Sequence, residues 1–308
     1  MSYGLVSVIM PVFNRATLVA QAIDSILCQT YSNVEVIAVN DGSTDDSLAV
    51  LRAYEEKWPD RVRVINQSNQ GQVIARNNGI KAASGEYIAF LDSDDRWLPQ
   101  KLELQLPRFS PDVGLVYCGV EFIDETGRVT GVERCDPALE GNIYPALLVR
   151  NRMTGGTVVV RKEVLDEVGL FDPAFKAAEN WDLWIRVCRN YNAALVNQPL
   201  VQYRRHPDNM SRDFELMLSA KKSIMDKHCD RRSENPAIRK SSALAEADFH
   251  YRLGLHHFSN ERYRDAFKAF WRTNGIEPFY EDAVIRMARC LAGRPGNNLL
   301  RTLKKSVS

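Results

Sequence analysis

The chain has 308 residues, 45% of them hydrophobic and 26% charged, a composition that excludes disordered, collagen-like and disulfide-rich classes. Forty Lys and Arg against 39 Asp and Glu leave a formal net charge of +1, so overall charge gives no reason to expect a nucleic-acid partner. The length suits one large domain, alone or with a small companion.

Val6–Met10 is a short apolar run before Pro11 and reads as a buried strand. Thr17–Leu27 places Leu18, Ala22, Ile23 and Ile26 at helical spacing. Val34–Val39 is a second strand. It ends at Asn-Asp-Gly-Ser-Thr-Asp, where Ser43 or Thr44 is expected to cap a helix over Asp45–Lys57. Val62–Ile65 is a third strand and Gln72–Ala83 a third helix, ended by Ser84-Gly85. Tyr87–Leu91 is a fourth strand that runs into Asp92-Ser93-Asp94-Asp95. Strands separated by helices of this length predict an α/β fold, a mostly parallel sheet between helices. Ligands of such sheets lie beyond the carboxyl ends of the strands, where both polar clusters fall.

The middle third reads as a strand over Val113–Phe122 with a turn at Asp124–Gly127, then a strand over Thr157–Val160. A short helix over Glu163–Val168, a helix over Trp181–Arg189 and a last short strand over Leu200–Tyr203 follow. No composition break separates it from the front. Residues 1–212 are therefore expected to form one domain, with halves over 1–110 and 111–212.

Residues 213–308 are expected to form a helical C-terminal extension. Phe214–His228 has helical spacing, and Arg231–Pro236 is a polar break and a candidate boundary. Over 247–280, Leu253-Gly254, Ala266, Phe270 and Pro278 sit at the offsets of one tetratricopeptide unit, with His250 and His257 at its aromatic positions. An ordinary helical hairpin explains the matches equally well. A single repeat cannot bury its own face, so a packing partner is expected: the main domain or, in a homodimer, a second chain.

Charge is uneven along the chain. Residues 200–308 carry 21 Lys and Arg against 13 Asp and Glu, and residues 1–199 carry 19 against 26. Asn298–Lys305 is a short amphipathic stretch near Arg294, Arg301, Lys304 and Lys305. A peripheral contact with an anionic membrane is one reading, and a solvated face or dimer contact is the favoured one. The six cysteines are scattered, with no C-x-x-C pair, and read as reduced thiols of a cytoplasmic protein. The first residues lack the basic region of a signal peptide, and no run of about 18 apolar residues marks a membrane span.

The turn after the first strand, Pro-Val-Phe-Asn-Arg, contains neither a dinucleotide fingerprint nor a phosphate loop. A phosphate ligand then needs its counter-charge from elsewhere. Asp92 and Asp94, two residues apart after a buried strand, point the same way. Facing carboxylates repel unless a cation lies between them, and oxygen donors favour Mg²⁺ or Mn²⁺ completed by substrate phosphates. A capped, solvated turn is the alternative. Asp41 ends the second strand, where a carboxylate accepts from a base N–H or a ribose hydroxyl, or caps the following helix. Phe13 is placed either to stack on a base or to pack locally.

Residues 5–13 (LVSVIMPVF), 34–45 (VEVIAVNDGSTD), 71–95 (GQVIARNNGIKAASGEYIAFLDSDD) and 155–186 (GGTVVVRKEVLDEVGLFDPAFKAAENWDLWIR) resemble the successive blocks of a family 2 glycosyltransferase. The resemblance covers about residues 5–210 and implies a GT-A fold and inverting transfer from a nucleotide-diphosphate sugar. It places Pro11, Phe13, Asn14, Asp41, Arg76, Asp92 and Ser93 in the nucleotide site and makes Asp94 the ligand of Mn²⁺ or Mg²⁺. Tyr203-Arg204-Arg205-His206 resembles a late block whose His lies near the diphosphate, which adds His206 to the metal set. The implied donor is a UDP-sugar, with a dTDP-sugar as alternative. The implied acceptor is a glycan or a lipid-linked hydroxyl in surface-polysaccharide assembly, at the cytoplasmic face of the inner membrane.

One departure matters. The family's general base is an Asp where this chain has Asn180, preceded by Glu179. An amide is not basic at neutral pH. Three readings stay open: Glu179 takes the proton from the neighbouring position, Asn180 is an introduced substitution, or the natural chain transfers slowly or not at all. Glu179 also suits a helix N-terminus. Two rivals follow: a catalytically weak or inactive GT-A binding or scaffold subunit, and a nucleotidyltransferase. The second needs a Gly- and Lys/Arg-rich loop that PVFNRAT lacks.

Overall fold

The computed structural model describes residues 3–207 and 209–293. The chain divides into two compact units, residues 1–147 with 151–209, and Leu148–Arg150 with Met210 onward.

The front alternates β1 (Val6–Val12), α1 (Val19–Leu27), β2 (Val34–Asp41), α2 (Ser47–Lys57), β3 (Val62–Gln67), α3 (Gln72–Ala82) and β4 (Tyr87–Phe90). β1 is buried along its whole length, as a central strand covered on both faces must be. α1 turns Val19, Ala22, Ile23 and Ile26 inward. α3 lies so close to the sheet that a Cβ on Gly79 would stand 2.6 Å from Ile9 Cγ2.

β5 (Arg96–Trp97), α4 (Lys101–Gln105), β6 (Val113–Ile123), β7 (Val129–Glu133), α5 (Tyr144–Val149), β8 (Val159–Arg161), α6 (Lys162–Val168), α7 (Glu179–Asn190) and β9 (Asn192–Arg204) follow. The sheet order is β3-β2-β1-β4-β8-β6-β9-β5, with β7 beside β6. Pairing is parallel from β3 to β4 and between β6 and β9. β8 runs antiparallel to both its neighbours, β5 to β9 and β7 to β6. The front of the sheet is parallel, as its helix-and-strand rhythm predicts, and antiparallel pairs enter with β8, β5 and β7. The β6–β7 link is the Asp124–Gly127 turn, and a connection that tight permits only an antiparallel pair.

β9 is also far longer than the short strand expected over Leu200–Tyr203. Asn197, Gln198 and Pro199 interrupt its apolar pattern. Irregular pairing with β6 around Gly119, which faces Pro199, lets the strand continue through them. The capping expectation fails as well. Ser43 and Thr44 bond to Asn14, and Asp45 Oδ1 accepts from Ser47 N at 3.0 Å. α2 starts only at Ser47, with Ser43 and Thr44 held by the β1 loop and Asp45 bonding the first residue of the helix.

In the second unit, α8 (Phe214–His228), α9 (Pro236–Ser259) and α10 (Tyr263–Ile276) precede a helix over 283–293. The polar segment Arg231–Pro236 leads from α8 into α9, whose first residue is Pro236. The tetratricopeptide-like offsets mark where α9 meets α10: Gly254 leaves room for the Phe270 ring, which a Cβ would meet at 2.6 Å. Tyr251, Ala266 and Phe270 form one cluster with Ala283, Met287 and Cys290, so the last helix covers part of the hairpin's apolar face. The amphipathic stretch Asn298–Lys305, with Arg294, Arg301, Lys304 and Lys305, lies outside the described residues. Among those described, no helix is long and apolar enough to cross a membrane. None of the six cysteines forms a disulfide.

Candidate active site

β1, β2 and β4 are parallel neighbours, so their carboxyl ends open on one side of the sheet. Pro11 is buried within β1, and Phe13, just beyond it, is 45% exposed and open to a flat ligand. Asn14 has the left-handed φ of +52° and joins two loops. Its N–H donates to Ser43 Oγ at 3.0 Å, and its Oδ1 accepts from Thr44 N at 2.8 Å.

Asp41 is buried, and its carboxylate is engaged by one turn. Oδ1 accepts from Gln67 Nε2 (2.8 Å) and Gln70 N (2.9 Å), and Oδ2 accepts from Gly71 N (2.8 Å). Those bonds set the entry to α3. For the nucleoside diphosphate that the sequence resemblance implies, Asp41→Ala is therefore expected to weaken binding of every such nucleotide alike, by about 1–3 kcal/mol, through loss of the loop. Titration with UDP and GDP checks this. A loss confined to UDP would mean that Asp41 reads the base.

α3 carries Arg76 under this surface. Its guanidinium is buried and bridges two carboxylates, donating to Asp92 Oδ1 at 2.6 Å and to Glu179 Oε1. Burial works against its charge, but Asp92 and Glu179 outweigh that and hold its proton more firmly than usual. Gln72 Nε2 donates to the same Glu179 oxygen at 3.3 Å. Glu179 is the first residue of α7 and follows Ala178, a non-glycine residue at φ +59°. Left-handed alanine is costly and persists where its surroundings dictate it, often at functional sites. Asn180 is half-buried, and its Oδ1 lies 3.4 Å from Asn151 Nδ2. Arg76, Asp92 and Glu179 thus meet across 103 residues of chain, and Ser93 is buried beside them in sequence.

Asp94 and His206 also meet: His206 Nε2 lies 3.1 Å from Asp94 Oδ2. Two residues to which the sequence assigned no role bring them together. Arg204 is buried; its N–H donates to Asp95 Oδ1 at 2.8 Å, and its Nε donates to the Asp94 carbonyl at 2.9 Å. Its Nη1 reaches the carbonyls of Asp124 and Glu125. Asp95 is buried too, and burial, then Asp94, then Asp92 push its carboxyl well above the usual range. The run of Asp residues was the one signal for Asp95. Arg204 sits in a block that resembles the family, but its side-chain partners, 79 to 183 residues away, left no local signal.

The donors suit the divalent cation that the fold implies. A carboxylate oxygen and an imidazole nitrogen stand side by side, and both side chains are largely shielded, at 15% and 14% exposure. Among the described residues, no cluster of three or more His, Cys, Asp or Glu is placed to hold a metal. Such an ion would have to draw its remaining donors from phosphate oxygens and water, as Mg²⁺ and Mn²⁺ usually do.

A mixed sheet between helices, with its polar corner at the ends of β1, β2 and β4, is the GT-A arrangement. The chain belongs to the family described as glycosyl transferase family 2, whose model matches residues 7–169. A putative teichuronic acid biosynthesis glycosyltransferase, TuaG of Bacillus subtilis, is 30% identical over 203 residues, 65% of this chain and 79% of that protein. The chain spans 31% to 64% of the length of curated relatives from Rickettsia species. S. aureus TarS 1–349 in complex with UDP has a similar fold, with a TM-score of 0.60 at 18% identity over 93% of this chain and 88% of that one. The mannosyltransferase PcManGT of Pyrobaculum calidifontis, in complex with GDP-Man and Mn²⁺, gives 0.63 at 19% identity over 96% and 83%.

Proposed function

We propose that this chain moves a sugar, with inversion, from a UDP-sugar to a hydroxyl of a glycan or lipid-linked acceptor in surface-polysaccharide assembly. The observation that carries the reading is the bridge Asp92–Arg76–Glu179 beside the Asp94–His206 pair, at the open ends of the strands. The likeness to TuaG and to the UDP complex of TarS supports the donor and the setting. We place the work at the cytoplasmic face of the inner membrane. The front half would bind nucleotide, residues 111–212 would face the acceptor, and the helical extension would supply a dimer or membrane contact.

Asp94 and His206 would hold Mn²⁺ or Mg²⁺, which neutralises the leaving nucleoside diphosphate. Phe13 stacks on the base, and Asp41 keeps the loop below it in shape. Arg76 orders Asp92 and Glu179. The described hydrogen bonds to Glu179 all fall on Oε1, which leaves Oε2 to take the acceptor's proton as its oxygen attacks the sugar carbon. Asn180 at the family's base position, where an amide takes up no proton, favours a second reading, a GT-A binding or scaffold subunit.

Thermal shifts with UDP-, GDP- and dTDP-sugars, with and without Mn²⁺, test the donor. A true donor at 100 times its Kd adds about 2.7 kcal/mol of stability. Sugar release or transfer in the same mixtures separates the enzyme from the scaffold. Asp94→Ala is expected to remove the Mn²⁺-dependent part of UDP binding and leave the melting temperature of the free protein within a few degrees. UDP binding that survives unchanged and ignores EDTA would sink the metal role.

A further inference from the structure

Asp94 has a second neighbour besides His206. Arg15 Nε lies 3.3 Å from Asp94 Oδ2, the same oxygen that His206 approaches. We propose that Arg15 is an internal cation that holds Asp94 in the nucleotide-free chain and must leave it before a divalent ion binds. This rests on the metal role of Asp94 proposed above.

Three observations carry it. First, the contact is an ion pair to one shielded oxygen, with Asp94 15% exposed. A guanidinium stays protonated in proteins, so its charge leaves that oxygen only if the side chain moves. A divalent ion and a guanidinium repel each other at such a distance, and they compete for Oδ2. Second, Arg15 is built to move. Its backbone N–H is anchored to Ser47 Oγ at 2.8 Å, while its side chain is 33% exposed and, among the described residues, otherwise bonds only the carbonyl of its neighbour Asn14 at 3.1 Å. Third, Arg76 makes the contrast. It is 5% exposed and spans two carboxylates, so it is held in place, whereas Arg15 has a single carboxylate partner among the described residues.

The consequence is a coupling. Metal alone must displace a cation and offers it no new anion. A nucleoside diphosphate arriving with the metal brings phosphate oxygens, to which an Arg fork is well matched. Metal and nucleotide then bind with mutual reinforcement, and by linkage each raises the other's affinity by the same factor. Removing Arg15 is expected to improve binding of metal alone and to shrink that factor.

The test is Mn²⁺ binding to the full chain, read from the electron paramagnetic resonance of free Mn²⁺, without nucleotide and with saturating UDP. Arg15→Ala is expected to bind Mn²⁺ alone about 3- to 10-fold more tightly than wild type, and to gain less from UDP. Arg15→Lys keeps a cation and stays near wild type. Asp94→Ala, combined with Arg15→Ala, removes the gain and so places the ion on Asp94. Arg15→Gln repeats the measurement if the alanine variant misfolds. Unchanged or weaker Mn²⁺ affinity in Arg15→Ala, with UDP-dependent Mn²⁺ binding intact in wild type, overturns this inference and spares the metal reading. No Mn²⁺ binding by wild type even with UDP overturns both.

Discussion

Glu179→Gln is expected to lower turnover by about 10²- to 10⁴-fold, the contribution typical of a positioned proton acceptor. The substitution is close to isosteric. The Gln oxygen still accepts from Arg76 and Gln72, and Arg76 keeps Asp92, so the bridge survives in outline. What disappears is the charge and the proton-accepting oxygen. The loss should therefore fall on kcat, with donor KM changed much less. A rise in donor KM with kcat unaltered would mean that Glu179 serves to hold Arg76 and Asp92 for the nucleotide. Asn180→Asp is the companion variant. A gain of orders of magnitude there would put the base at position 180 and make Glu179 its support.

The second large effect is expected far along the chain. Asp248 on α9 is fully buried and is the hub of the C-terminal unit's polar network. It accepts from Arg150 Nε at 2.8 Å, Arg252 Nε at 2.7 Å and Tyr280 Oη at 2.8 Å, and from Lys221 Nζ. Asp248→Ala leaves Lys221 buried beside two guanidiniums with no shared counter-charge. Breaking a buried pair in this way costs on the order of 3–5 kcal/mol. Urea unfolding of the two proteins checks this, and a loss under about 1 kcal/mol would mean that the cations find water instead.

The same carboxylate gives stability a pH dependence of definite sign. Burial alone would raise its proton affinity, but Lys221 and Arg252 outweigh burial and hold it well below the usual carboxylate range. A depressed acid contributes its full stability above the unfolded value of about 3.9 and loses it as pH falls through the folded one. Wild type should therefore lose more stability than Asp248→Ala below about pH 4, and the two curves should run parallel from pH 5 to 7. Parallel curves down to pH 2 would show that Asp248 does not carry the charge of this network.

Strands and helices of the front were readable because their causes are local. Val6–Val12 and Val34–Asp41 are mostly apolar runs, and α1 repeats its apolar residues at helical spacing. The middle misled at β9 because a bulge opposite Gly119, not the strand's own residues, carries it past Asn197–Pro199. β5 was invisible, since two residues carry no period and its strand character comes from pairing with β9. Among site residues, Asp92 and Asp94 stood out by spacing alone. Arg15 did not, because nothing near it in the chain hints at a partner 79 residues on.

By itself, then, the amino-acid order determined the class of fold, the order of its early elements and which acidic residues end its strands. These depend on apolar period, turn chemistry and residue type, all of which act within a few residues. The tertiary structure decided who meets whom. Glu179 faces Arg76, Asp41 spends its oxygens on the turn before α3, and Arg204 ties the end of β9 to the Asp94 loop. Each of those contacts joins segments far apart in sequence, so its geometry exists only once the sheet has brought the strand ends together.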